Sequence, residues 1–185
     1  MKRLIYLLLT FLTLGCGTGR ILNTADTKPT ETIIIGKLSL TSDKQLINEK
    51  ILMHFNERLW GKFAVWVDNS GYFYLKLPLG TNYIALLEYR VGIGFYKNVP
   101  DNYASVNLIA PDKIYYVGDI TFDWSPSDKD KRNQGGAAGV IAESSKTGDK
   151  IPVTITESKS TIEYFRQKFP DNKKEIITEL IKVSE

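Results

Sequence analysis

The chain has 185 residues, with 24 Lys+Arg against 21 Asp+Glu, one histidine and one cysteine. A lone cysteine excludes a Cys-x-x-Cys redox pair or a thiolate zinc cage within one chain, and a lone histidine narrows acid–base catalysis severely. A charge balance this close to neutral implies no strongly basic face, and no nucleic-acid partner is expected.

Lys2 and Arg3 precede Leu4 to Leu14, an apolar run interrupted only by Thr10 and Thr13, and Gly15 is a small residue before Cys16. This is the layout of a secretory signal peptide over residues 1–15. A spanning helix needs about 20 apolar residues, and the run stops well short, so the leader is expected to be removed. Taking Lys2 and Arg3 from the 24 basic residues leaves 22 against 21, a net charge of +1. "GCGTGR" is no dinucleotide fingerprint, because no strand precedes it and no helix pattern follows.

Gly15-Cys16 behind an apolar run resembles the lipobox of bacterial lipoproteins, with Thr13 and Leu14 in the two places before the glycine. The resemblance implies a diacylglyceryl group on the Cys16 thiol and makes the membrane the first partner. Each buried methylene contributes about 0.8 kcal/mol, and two or more chains give stable attachment. Gly17 is not the aspartate that signals inner-membrane retention in such proteins, which points to the outer membrane of the cell envelope.

Residues 16–32 comprise the lipidated cysteine and a polar, threonine-rich tether with little hydrophobic periodicity. From 33 to 156 the chain reads as a mainly β domain. "TIIIGKLSL", "ILMHFN", "KFAVWV", "GYFYLKL", "NYIALLEYRV", "ASVNLI", "IYYVGDITF", "AGVIAE" and "IPVTIT" are short, β-branched or aromatic, and bounded by Asn, Asp, Gly and Pro. Such spacing without visible crossover helices predicts an antiparallel β-sandwich.

"VDNSGY" predicts a hairpin with a three-residue loop, Asp68 opening a type I turn and Gly71 supplying the left-handed residue. That parity puts Phe63, Val65, Val67, Phe73, Leu75 and Leu77 on one face. Ala64, Trp66, Tyr72, Tyr74 and Lys76 fall on the other. Trp66, Tyr72 and Tyr74 are therefore the candidate ligand or partner contacts.

From 157 to 185 the period becomes helical. Ile162, Phe165 and Phe169, then Ile176, Ile177, Leu180 and Ile181, recur at helix spacing on either side of Pro170. One or two C-terminal helices are expected, packing on the sandwich over Trp66 and its neighbours.

Asp68, Gly71, Phe73, Leu77, Pro78 and Gly80 follow the order "D-x-x-G-x-F-x-x-x-L-P-x-G" and, with Tyr83 one place beyond the tyrosine that ends the pattern as "G-x-Y", resemble the signature of prealbumin-like domains, the carboxypeptidase regulatory-like and CnaB-like sandwiches. The resemblance covers residues 33–122. It implies a structural, adhesive or ligand-presenting module without catalysis of its own.

No chemistry-bearing motif competes with this reading. His54 in "ILMHFN" reads as structural or solvent-facing, and Asp119 and Asp123 lie about 13 Å apart along a strand, too far for a glycosidase pair. "SDKDKRNQGG" puts Asp128 and Asp130 in an i, i+2 relation, but Arg132 takes the next ligand place. No catalytic, cofactor or metal site is assigned. The expectation is a lipid-anchored, non-catalytic structural or partner-binding module of the envelope, with another envelope protein as partner. The alternative is a small-ligand or glycan binder using Trp60, Trp66 or Trp124 and nearby tyrosines.

Overall fold

The computed structural model describes residues 27–185 except 60, 93 and 132–135. The leader, Cys16, the tether as far as residue 26, and Trp60 lie outside the described residues.

The architecture follows from β1 (Glu31–Leu40), where Thr32, Ile33, Ile34 and Ile35 are all buried. A run buried without alternation belongs to a strand covered on both faces. β1 pairs antiparallel with β4 (Tyr72–Pro78) and parallel with β8 (Ile114–Phe122). The far edge of β8 is shared by β9 (Val153–Thr156), antiparallel, and β10 (Ile176–Thr178), parallel. The tether read over residues 16–32 thus overlaps this strand at Glu31 and Thr32.

In the second sheet β5 (Gly80–Tyr89) is central. β2 (Ile51–Phe55) lies on one side, carrying β3 (Ala64–Trp66) beyond it. β6 (Phe95–Asn98) and β7 (Ala104–Leu108) lie on the other, with β11 (Lys182–Val183) beyond β7. Ile34, Leu38, Phe73, Leu77 and Val117 of the first sheet meet Met53, Phe55, Ile84, Leu87 and Val106 of the second in one core.

Helix α1 (Gly136–Ser144) precedes β9, and helix α2 (Lys159–Lys168) crosses the outer face of the first sheet between β9 and β10. Beneath α2, Phe165 joins Ile33, Ile35, Ile114 and Tyr116 in a second apolar cluster.

Several expectations are corrected. The strands are not all antiparallel, because the chain alternates between sheets: the strands of the second sheet return it far enough for β8 to run alongside β1. α2 does the same for β10. The Asp68–Gly71 turn forms, with the Gly71 N–H donating to the Asp68 carbonyl and Gly71 at φ +86°, but its flanking strands are not a hairpin. β3 joins β2 and β4 joins β1, so the apolar set from Phe63 to Leu77 faces itself across the core. "AGVIAE" lies in α1, where alanine favours the helix. Of the one or two C-terminal helices expected, one forms, α2, and the isoleucines after Pro170 form β10 and the approach to β11.

One close approach demands glycine. β1 and β8 slip register between Ile35 and Lys37. There a methyl on Gly36 would lie 2.7 Å from the Gly118 carbonyl oxygen and 2.6 Å from the Phe73 ring. Gly36 thereby lets Phe73 reach the core.

Candidate partner-contact site

The three candidate contacts are not brought together. Tyr72 and Tyr74 lie on the outer face of β4 beneath α2, whereas Trp66 lies on the outer face of the other sheet. Once β3 and β4 are assigned to different sheets, a shared face is impossible.

The tyrosines are spent within the chain. Tyr72 stacks on Tyr164 of α2 with ring centroids 4.0 Å apart, and Tyr74 meets the Phe169 ring edge-on at 4.8 Å. Lys168 Nζ lies 5.1 Å over the Tyr74 ring. Asp68 accepts hydrogen bonds from the Tyr164 hydroxyl and, at 3.3 Å, from Lys168 Nζ. Burial works to raise the Asp68 pKa, but the bonds from Tyr164, the Tyr72 N–H and Lys168 outweigh it and hold the carboxyl below its ordinary value. The turn aspartate of the signature therefore also anchors the helix.

Trp66 remains 43 % exposed, and a frame of side chains holds it. The Arg90 guanidinium sits 5.2 Å over its ring, within cation–π range. Arg90 Nε donates to Glu88 Oε2 at 2.6 Å, and Glu88 Oε1 lies 2.6 Å from His54 Nε2. The latter contact meets a hydrogen bond's distance but not its direction, and His54 Nδ1 has no partner among the described residues. His54 and Glu88 are both buried. Burial pushes the Glu88 pKa up, while His54 and Arg90 together hold it below the ordinary glutamate value.

His54 is therefore buried against Glu88, and of its two readings the solvent-facing one is corrected. Glu88 and Arg90 escaped sequence reasoning. Alternation in "ALLEYR" puts Leu86 and Glu88 on one face, but only the register of β5 against β2, pairing Glu88 with Leu52 and Leu86 with His54, brings the carboxylate to the imidazole.

The other candidates are placed as follows. Trp124 is buried. Asp119 is not a free strand charge: it accepts from the Tyr116 hydroxyl at 3.0 Å and from Thr161 Oγ1 of α2 at 2.6 Å. Burial, chiefly, raises the Tyr116 pKa to about 12. Asp130 caps its own turn by accepting from the Ser127 N–H and hydroxyl, each at 2.9 Å. Among the described residues no cluster of three His, Cys, Asp or Glu could hold a metal ion, and no helix is long and apolar enough to cross a membrane. An open groove of about 410 Å³ lies between β6 and the end of α1, where Lys97, Lys129, Lys131 and Lys146 share the lining with Asp130, Glu143 and Asp149.

Comparison of the chain with family models, with curated proteins and with solved structures gave no match.

Proposed function

We propose that the protein is a lipid-anchored cell-envelope protein, attached through Cys16 and directed to the outer membrane. Its prealbumin-like sandwich is a non-catalytic structural or partner-binding module that meets another envelope protein at Trp66. The observation that carries the contact is the braced indole: Trp66 stands exposed while Arg90, Glu88 and His54 fix its surroundings. Tryptophan and arginine dominate interface energetics, and a side chain already held in place loses less entropy on binding.

The family reading is supported by the roles its signature positions play. Gly71 and Gly80 both have positive φ, +86° and +98°; Phe73 and Leu77 are buried in the core. Among the described tryptophans the glycan-binding alternative retains Trp66 and loses the buried Trp124, and Arg90 lies over the Trp66 ring.

The test is amine-reactive crosslinking of the full-length protein in intact envelopes, followed by its capture. A discrete crosslinked partner is expected, and Trp66→Ala should weaken its recovery about thirtyfold, the equivalent of a 2 kcal/mol hot spot. In parallel, Cys16→Ala should release the protein from membranes and abolish fatty-acid labelling. Capture unchanged by Trp66→Ala refutes the contact, and labelling unchanged by Cys16→Ala refutes the anchor.

A further inference from the structure

The poles of the sandwich differ. Glu31, where β1 begins, pairs with Pro78; Gly80, where β5 begins, pairs with Leu108. The chain thus emerges from the undescribed N-terminal residues at the pole that also holds the Ile109–Lys113 loop. Three contacts fix this entry: the Thr32 hydroxyl donates to the Lys113 carbonyl at 2.7 Å, the Leu79 N–H donates to the Thr30 carbonyl, and Lys174 Nζ reaches Thr27 Oγ1. Trp66, paired with Leu52 and through it with Glu88, lies at the opposite pole with the exposed Val91. The nine residues of β5 after Gly80 span about 30 Å at 3.3 Å each.

At the entry pole Ile109 is 75 % exposed, the highest value among the exposed large apolar side chains. That exposure is built in. The N–H groups of Ile109 and Ala110 both donate to the hydroxyl of the buried Tyr115, at 3.2 and 2.8 Å, which pins the loop and keeps Ile109 from folding back. Ala110 and Pro111 extend the apolar tip, and Lys28 and Lys173 stand exposed near the same entry. Of the acids beside the loop, Glu175 lies 2.7 Å and Asp112 3.8 Å from the Lys113 ammonium, which offsets one of the two negative charges.

We propose that this loop rests on the lipid bilayer, Ile109 entering the boundary between headgroups and acyl chains while the lysines meet lipid phosphates. The inference rests on the anchoring reading above. Eleven residue-to-residue steps lead from Cys16 to Thr27, so at about 3.6 Å each the entry pole can stand no more than about 40 Å from the anchored residue. Apolar side chains seat at the boundary, with cations at headgroup level. Contact at this pole leaves Trp66 directed away from the membrane, toward a partner.

The test uses the full-length acylated protein in phosphatidylethanolamine–phosphatidylglycerol vesicles. Acylation blocks Cys16, so Ile109→Cys and, at the opposite pole, Val91→Cys each offer one thiol for an environment-sensitive fluorophore. The probe at 109 should show a blue shift and lose its emission to a lipid-borne quencher, while the probe at 91 should do neither. A probe at 109 that stays in a water-like environment, in a sample whose mass shows acylated Cys16, overturns the loop contact alone. A mass showing bare Cys16 overturns the anchor and the contact together.

Discussion

Glu88 shows how one buried charge can be read as a stability term. Its folded pKa is lowered because His54 and Arg90 together outweigh the cost of its burial. In the unfolded chain the carboxyl returns to the ordinary range near 4.3. The unfolded state therefore takes up its proton first as pH falls, so the contribution is complete above that range and is lost on acidification through it toward the lower folded value. The urea midpoint should decline from about pH 5 downward. Glu88→Gln should lower stability at neutral pH by about 1–3 kcal/mol and decline less steeply in acid. Asp68 is also held low and acts in the same direction, so the difference between the two proteins isolates Glu88. Parallel acid limbs would show that the carboxylate is not held by its neighbours. Arg90 should also lose its brace in the variant, which makes Trp66 emission a second readout.

Helix α2 owes its place to one deep anchor and one surface clamp. Phe165 is buried against Ile33 and Ile35, while Tyr164 stacks on Tyr72 and donates to Asp68. Phe165→Ala should cost about 3–5 kcal/mol. Tyr164→Phe keeps the ring and loses the bond donated to Asp68 and the one accepted from Lys168 Nζ, which should cost about 1.5–3 kcal/mol. Equilibrium unfolding measures both, and equal effects would refute this division of labour. The helix was legible because Ile162, Phe165 and Phe169 recur at its period and a polar N-terminal stretch precedes them. The segment from Ile176 to Ile181 has the same spacing, but Ile-Ile-Thr is β-branched, and a four-residue interval also arises when two short strands turn between sheets. Hydrophobic parity correctly gave the core face of residues 63–77, since parity fixes which side a residue faces. It is silent on which sheet a strand joins. Parity alone therefore groups Trp66 with tyrosines that face the other side of the molecule, and the four residues of β6, "FYKN", are too few to show a period.

The last ten residues bind the two sheets to each other along one flank. β10 lengthens the first sheet beside β8, the Glu179 and Ile181 N–H groups donate to the Tyr116 and Val117 carbonyls, and β11 then joins β7 of the second sheet. Ile181 enters the central core on the way, while Ile176 and Leu180 pack in the cluster beneath α2. Truncation after Glu175 should therefore do more than shorten an edge. Full burial of an isoleucine contributes about 1.5–3 kcal/mol, and the lost contacts exceed what one such side chain supplies, so a loss of at least about 3 kcal/mol is expected. In a chain of this length that lowers the melting temperature by about 6–12 °C. The cut also leaves the outer edge of β8 from Ile114 to Val117 without the tail that covers it, and an exposed strand edge recruits other chains. Sedimentation should accordingly detect association that the full chain does not show. An unchanged melting temperature would mean that the sheets hold together without the tail. A lower one without association would mean that the tail supplies core and not edge protection.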